Sequence, residues 1–344
     1  MKALVKYARG PGHMEVREVP DPVPAPDEVV VRVRACGIDK GADLWIVDDK
    51  PGMWYEVPVV VGAENCGEVV EVGSQVTNWR AGDRVCSEVI VGACGRCWYC
   101  LSGNYLHCKE KQDLGRRLDG AFAEYFKVKA RYLHRIPDSV SWEAAVLTEM
   151  AAVTAFNLLE RTGVLPGDSV AVVGPVGQIA VQMARAAGAG QVMLVGTAAD
   201  QWRLNLAKEL NPGLLAVPDV DEAVATVPDL TRGRGVDVAV DATGHPSGPA
   251  TCLALVRSAG KIAAVGVPPG EAQVDWFSLV LREITAYGTY AHKWSSWELA
   301  LELMGRGQVA CDRLLTRMYP LEDWTAAFEE VRSSKELIKV ALTP

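Results

Sequence analysis

The rhythm of apolar and polar positions along this chain changes once, near residue 150. Before about residue 140, Val, Gly and Pro dominate and the apolar residues come in short runs. Glu28-Val-Val-Val-Arg-Val-Arg34 and Gly67-Glu-Val-Val-Glu-Val72 are examples, both bounded by Gly or Pro. Runs of this kind predict short strands joined by turns. Residues 20–26 read as an extended, proline-rich connector, and no long helical period is present, so a mostly β domain is expected.

From about residue 150, strand-like runs alternate with amphipathic helical ones: 169–173, then 176–188, then 191–195, then 200–210. Further strands are expected at 236–240, 261–265 and 284–289. Strands alternating with helices imply βαβ units and a parallel sheet covered on both faces. The last segment has a helical period at 294–304 and a strand-like run at 337–341. There are no internal repeats.

Length and composition narrow the function classes. A chain of 344 residues is more naturally two domains than one. Its 49% hydrophobic and 23% charged residues are the balance of a globular protein. A net charge of −8 argues against nucleic acid as a partner, since that needs a basic face. No apolar run suits a membrane span. Met1-Lys2-Ala3-Leu4-Val5-Lys6 leads straight into a strand-like segment without a signal-peptide pattern, so the cytosol is the expected location.

Of nine cysteines, four crowd into one loop: Cys94-Gly-Arg-Cys97-Trp-Tyr-Cys100, followed by Cys108. Thiolates two or three residues apart wrap one tetrahedral zinc without strain, and a four-sulfur site leaves no open position, so this zinc is expected to be structural. The alternatives are an iron–sulfur cluster, for which no redox partner motif is present, and a chance cluster of free thiols.

The expected strand 169–173 runs into Gly174-Pro175-Val176-Gly177, and a helix follows. A doubly wound domain places a dinucleotide pyrophosphate at such a turn, against backbone N–H groups and the positive end of the helix. Only G-x-x-G of the fuller G-x-G-x-x-G fingerprint is present, and a purely structural turn is the alternative. The second strand ends Val195-Gly196-Thr197-Ala198, without the carboxylate that would take a ribose 2′-hydroxyl. Thr197 and Arg203 could instead meet a 2′-phosphate, which favours NADP(H) over NAD(H), with Asp200 nearby to blur the preference. Gly196, Thr243 and Val265 complete the residues expected to contact the cofactor.

With both sites in place, the chain resembles the zinc-type medium-chain dehydrogenases/reductases, nearest the sorbitol and polyol branch. The resemblance includes Ala81-Gly-Asp-Arg-Val85, Gly120-Ala-Phe-Ala-Glu-Tyr125, and the closing stretch with Gly307-Gln-Val, Pro320-Leu-Glu, Ala327-Phe328 and Ile338-Lys-Val340. It implies an α/β protein with a GroES-like β-rich catalytic domain over 1–150 that carries the zinc loop 94–108. A Rossmann doubly wound parallel-sheet domain over 151–289 and a return to the catalytic domain over 290–344 would follow. It also implies a homodimer or homotetramer acting on a small-molecule substrate.

The family's catalytic-zinc motifs are not intact. Where the family reads G-I-C-x-(Ser/Thr)-D, this chain has Gly37-Ile38-Asp39-Lys40-Gly41-Ala42-Asp43, one residue longer. Where it reads G-H-E-x-x-G, this chain has Gly62-Ala63-Glu64-Asn65-Cys66-Gly67, and a methyl group cannot bind metal. The glutamate that is a third ligand in the polyol branch is matched by Glu149. Asp39, Glu64 and Glu149 offer only oxygen, a weak set for catalytic zinc. These carboxylates could instead exchange a proton with substrate, and Lys40 could polarise a carbonyl. Trp45, Trp54 and Tyr55 line a substrate pocket or belong to the core.

The leading expectation is hydride transfer between NAD(P) and a hydroxyl or carbonyl carbon of a small polar polyol-, sugar- or cyclitol-like substrate, without catalytic zinc. The alternatives are a zinc-free reductase of a conjugated double bond or imine, and an inactive dehydrogenase scaffold.

Overall fold

The computed structural model describes residues 1–344. The chain forms two compact units, one of Met1–Glu149 with Cys311–Pro344, the other of Met150–Ala310.

The first unit is built on a seven-stranded sheet. Its order is Leu133–Arg135, Arg84–Ser87, Glu64–Val72, Glu28–Gly37, Lys339–Thr343 and Leu315–Pro320, with Tyr125–Lys129 also paired to Glu28–Gly37. Glu28–Gly37 is the central strand, and its burial alternates at Val31, Arg32, Val33 and Arg34 as a pleated strand with one wet face requires. Val29, Val31, Val33, Val69, Val85, Phe122, Phe126, Phe328 and Val340 close the core on the other face. A three-stranded sheet of Met14–Glu18, Lys2–Lys6 and Val59–Val60 completes the unit together with the hairpin Ile90–Gly92 and Gln112–Asp113 that carries the cysteine loop.

The second unit is a six-stranded parallel sheet in the order Leu215–Val217, Gln191–Val195, Ser169–Val173, Val236–Asp241, Val256–Ala264, Thr285–Gly288. The order runs outward in both directions from Ser169–Val173, so the switch point lies between that strand and Val236–Asp241, where such sheets bind ligands. The strand Ser169–Val173 is buried at every position, as a parallel strand covered on both faces must be.

Two boundaries differ from the sequence expectation. The helix Trp294–Gly305 packs with the π-helix Ala155–Thr162 of the second unit, so the return to the first unit starts at Cys311 rather than at 290. The closing strand is Lys339–Thr343, two residues beyond 337–341, because its register is fixed by pairing with Gly37 and Cys36. No helix is long and apolar enough to cross a membrane.

Candidate active site

The central strand of the first unit ends at Gly37, which faces Glu64 on one neighbouring strand and Ala341 on the other. Glu64 and Lys339, both buried, meet across this glycine, and the Lys339 ammonium forms an ion pair with Glu64 Oε2. A Cβ at Gly37 would lie 2.7 Å from that same oxygen and 2.8 Å from Lys339 Cε, so only glycine leaves room for the pair. Burial alone would lower the Lys339 pKa, but the carboxylates of Glu64 and Asp39 outweigh it and hold the amine above its ordinary value.

Three further carboxyls gather about this pair. Glu149, in the first turn of the helix Thr148–Thr154, is pushed well above the usual range by burial, then by the charges of Glu64 and Asp39. Asp39 Oδ1 accepts the Gly41 N–H at 2.7 Å, and the Asp39 N–H donates to Asp43 Oδ2 at 2.9 Å. Asp43 is buried, and desolvation followed by the nearby Asp39 charge pushes it up to about 8. Lys40 is exposed on the same loop. The buried cation among these carboxylates is therefore Lys339, to which the sequence reading gave no role, rather than Lys40. Of the neighbouring aromatics, Tyr55 joins the core and donates from its hydroxyl to Asp49 at 2.6 Å, whereas Trp45 and Trp54 are half-buried.

The four loop cysteines converge. Their Sγ atoms all lie within 4.8 Å of one another, with Cys97 to Cys100 at 3.5 Å and Cys94 to Cys100 at 3.9 Å. Sulfurs on a tetrahedron about a zinc at about 2.3 Å are about 3.8 Å apart, so the donor set fits that ion. The backbone N–H groups of Arg96 and Cys97 lower Cys94 to about 7, toward the thiolate a metal requires.

In the second unit, Gly174 has φ of +105°, and a Cβ there would lie 2.7 Å from the Ala242 carbonyl. A Cβ at Gly177 would lie 2.6 Å from Val172 Cγ1, so this glycine lets the helix Gln178–Ala186 start directly against the sheet. Pro175 and Val176 are half-buried between them. The cradle at the helix N-terminus fits a pyrophosphate. Thr243 donates from its hydroxyl to Asp241 Oδ1 at 2.7 Å, and the Val265 N–H donates to the Asp241 carbonyl at 2.9 Å, so both stand at the ends of adjacent strands. Gly196 ends the second strand with its N–H on the Val217 carbonyl. Beyond it, Asp200 accepts the Thr197 hydroxyl at 2.7 Å and the Arg203 guanidinium at 2.9 Å. The two groups expected to meet a 2′-phosphate are thus already held by a carboxylate.

The alcohol dehydrogenase GroES-like domain matches residues 25–138, and the zinc-binding dehydrogenase family matches residues 175–306. A sorbitol dehydrogenase of Halalkalibacterium halodurans is 36% identical, over 100% of this chain and 99% of its own. A D-arabitol-phosphate dehydrogenase of Enterococcus avium is 30% identical, over 98% of this chain and 96% of its own. This chain is a zinc-type medium-chain dehydrogenase of the polyol branch. A solved structure of a zinc-binding dehydrogenase from Sinorhizobium meliloti bound to NADP has a TM-score of 0.88 at 28% identity, covering 100% of this chain and 99% of its own.

As a medium-chain dehydrogenase, the chain is an NAD(P)-dependent oxidoreductase of the alcohol dehydrogenase type with a GroES-like and a Rossmann domain. Against the family's motifs, Asp39 or Lys40 stands where the thiolate belongs and Ala63 where the histidine belongs. Lys339 lay in the closing stretch Ile338-Lys-Val340, which marks the family without disclosing a partner for the lysine. Asp43 closes the Gly37–Asp43 motif, but its burial beside Asp39 does not show in the spacing, and Arg116, whose charge reaches both Asp43 and Glu149, had no signal there at all.

Proposed function

We propose that this dehydrogenase exchanges a hydride with a hydroxyl or carbonyl carbon of a small polar polyol-, sugar- or cyclitol-like substrate, without a catalytic zinc. The observation that carries the reading is the Glu64–Lys339 pair among Asp39, Asp43 and Glu149, at the place where two of the family's metal ligands are missing.

The residues present do not suit catalytic zinc. Glu64 is engaged by an ammonium, Ala63 offers no donor, and Asp39 and Glu149 supply oxygen alone. A bound nicotinamide supplies or accepts the hydride. The chain's own part is then to move one proton and to stabilise charge on oxygen. Glu149, held protonated by burial and like charges, gives its proton to the carbonyl oxygen during reduction and takes it back during alcohol oxidation. Lys339 balances the carboxylate that remains. The turn Gly174–Gly177 and the helix after it would hold the dinucleotide, with Gly196, Thr243 and Val265 beside it. The cofactor's 2′ position is contested: NADP(H) must displace Asp200 from Thr197 and Arg203, whereas NAD(H) need not. The four cysteines hold one structural zinc per chain on this reading.

Self-association is supported by one surface. Thr285–Gly288 is an edge strand, and beside it the helix Trp276–Leu281 exposes Trp276, Phe277, Val280 and Leu281. Light scattering should return a homodimer or homotetramer.

Metal content measured with cofactor binding tests the main reading. One zinc per chain with bound NAD(P)H is expected. Two zincs per chain would overturn the zinc-free site, and failure to bind either dinucleotide would favour an inactive scaffold.

A further inference from the structure

The π-helix Ala155–Thr162 is fastened near both of its ends to one strand of the parallel sheet, Val256–Ala264. At its C-terminal end the turn is opened to a five-residue repeat, with the Gly163 N–H on the Leu158 carbonyl at 3.0 Å. The Lys261 ammonium caps that end, donating to the carbonyls of Thr162 at 2.8 Å and Gly163 at 3.0 Å. Toward the other end stands Asn157, fully buried. Its side-chain amide reaches the place where Val256–Ala264 and Thr285–Gly288 stop pairing, at Ala264 and Gly288. Asn157 Nδ2 donates to the Ala264 carbonyl at 2.8 Å and to the Thr289 hydroxyl oxygen at 2.7 Å, with the Tyr287 carbonyl at 3.4 Å.

The orientation of this amide follows from its surroundings, since two of its three neighbours are carbonyls and can only accept. Its own Oδ1 is left buried without a hydrogen-bond partner. A bare buried carbonyl is costly, so a side chain kept for packing alone would be apolar here. What the amide supplies is donors, and they go to two strand exits that are parting. Past Ala264 the chain turns toward the strand on its other side, where the N–H groups of Val265 and Gly266 donate to the Asp241 carbonyl at 2.9 and 2.7 Å. Asn157 holds the gap that this turn opens against Thr289.

That gap lies in the half of the sheet left for the second nucleotide. A doubly wound sheet binds a dinucleotide across its switch point, one mononucleotide on each half. With the pyrophosphate at Gly174–Gly177 and the adenosine ribose at the end of Gln191–Val195, the nicotinamide nucleotide falls over the exits of Val236–Asp241, Val256–Ala264 and Thr285–Gly288. We propose that Asn157 is a positioning residue for hydride transfer: by holding the exits of Val256–Ala264 and Thr285–Gly288 at a fixed separation, it orients the nicotinamide ring. The inference rests on the dinucleotide placement given above and on no choice of substrate. Asn157 acts through the backbone of the two exits and touches neither cofactor nor substrate. Misplacing a reacting carbon by about 1 Å can cost about 100-fold in rate, so a small change in the gap is enough to matter.

The test uses the whole chain and needs no substrate. NADH and NADPH are bound by calorimetry beside ADP-ribose and 2′-phospho-ADP-ribose, their counterparts without the nicotinamide ring. The wild type is compared with Asn157→Ala and Thr289→Val, and the fluorescence of the bound dihydronicotinamide is read in parallel. In Asn157→Ala the Kd of the dinucleotides should rise about 5- to 10-fold while that of the ring-less counterparts stays within about twofold. The fluorescence of the bound cofactor should shift toward that of the free one. Thr289→Val removes one acceptor at constant shape, so it should move the same readouts by about twofold and carries the test if Asn157→Ala does not fold. Equal weakening of a dinucleotide and its ring-less counterpart, or dinucleotide affinity and fluorescence unchanged in both variants, would overturn the positioning role and leave the dinucleotide placement standing. No binding of any of the four ligands to the wild type would remove that placement and the inference with it.

Discussion

Lys339 and Glu64 pair across Gly37, reaching it from strands on opposite sides of the one that ends there. Two charges withdrawn from water cost more apart than together, so the pair is strongly coupled. Lys339→Met should destabilise the protein by about 3–5 kcal/mol, because Glu64 is left buried without a counterion. The double variant Lys339→Met with Glu64→Leu should recover part of that loss in urea unfolding. A loss in the double variant equal to the sum of the two single losses would show no coupling.

Asp43 gives stability a pH slope of known sign. Its folded pKa of about 8 lies above the ordinary carboxyl value of 3.8, so between those values the folded state holds a proton that the unfolded state has released. Stability contributed by this group is therefore lost as pH rises through that window, at up to about 1.4 kcal/mol per pH unit. Asp43→Asn keeps an acceptor for the Asp39 N–H and should flatten the decline between pH 5 and 8. Unfolding midpoints across that range check it, and an unchanged slope would exclude Asp43 as the source.

Asp200 occupies the side chains that a 2′-phosphate would use. Asp200→Ala should raise the ratio of kcat/KM for NADP over NAD by about tenfold, since a repelling carboxylate goes and a guanidinium is released. Steady-state kinetics with both cofactors measures it. A ratio that stays level would place the 2′ contact elsewhere.

Cys97→Ser should abolish stoichiometric zinc in the loop, since its sulfur sits 3.5 Å from that of Cys100 within the converging set. The midpoint of thermal unfolding should fall, by about 2–4 °C for each kcal/mol of zinc-binding free energy lost to the folded state. Metal analysis beside the melting curve tests this, and full zinc content in the variant would count against the assignment.

What could be read from the sequence was what is written locally. The strand Ser169–Val173, the glycine turn and the helix Gln178–Ala186 follow one another without interruption, and the four cysteines share one loop. Lys339 could not be assigned because it lies in an otherwise apolar strand and its partner is in a distant part of the chain. Arg116 looked like one arginine among many, since its reach to Asp43 and Glu149 is a property of three dimensions. Helix Trp294–Gly305 has a helical period whichever unit it belongs to, and only its packing on Ala155–Thr162 decides the matter. Asp200 was visible as an acid, but its grip on Thr197 and Arg203 depends on how the turn folds back.

The split of the first unit has a consequence for synthesis. On the ribosome, Glu28–Gly37 and Glu64–Val72 emerge long before Lys339–Thr343, with the whole of Met150–Ala310 translated between them. The nascent sheet already has Tyr125–Lys129 on Glu28–Arg32, but it must wait with the Cys36–Gly37 end of that side unpaired and with Glu64 lacking its ammonium. The second unit has all its strands in hand earlier, so it can reach its native form first. The first unit then completes its sheet and its charge balance in one late event, the arrival of the closing strand.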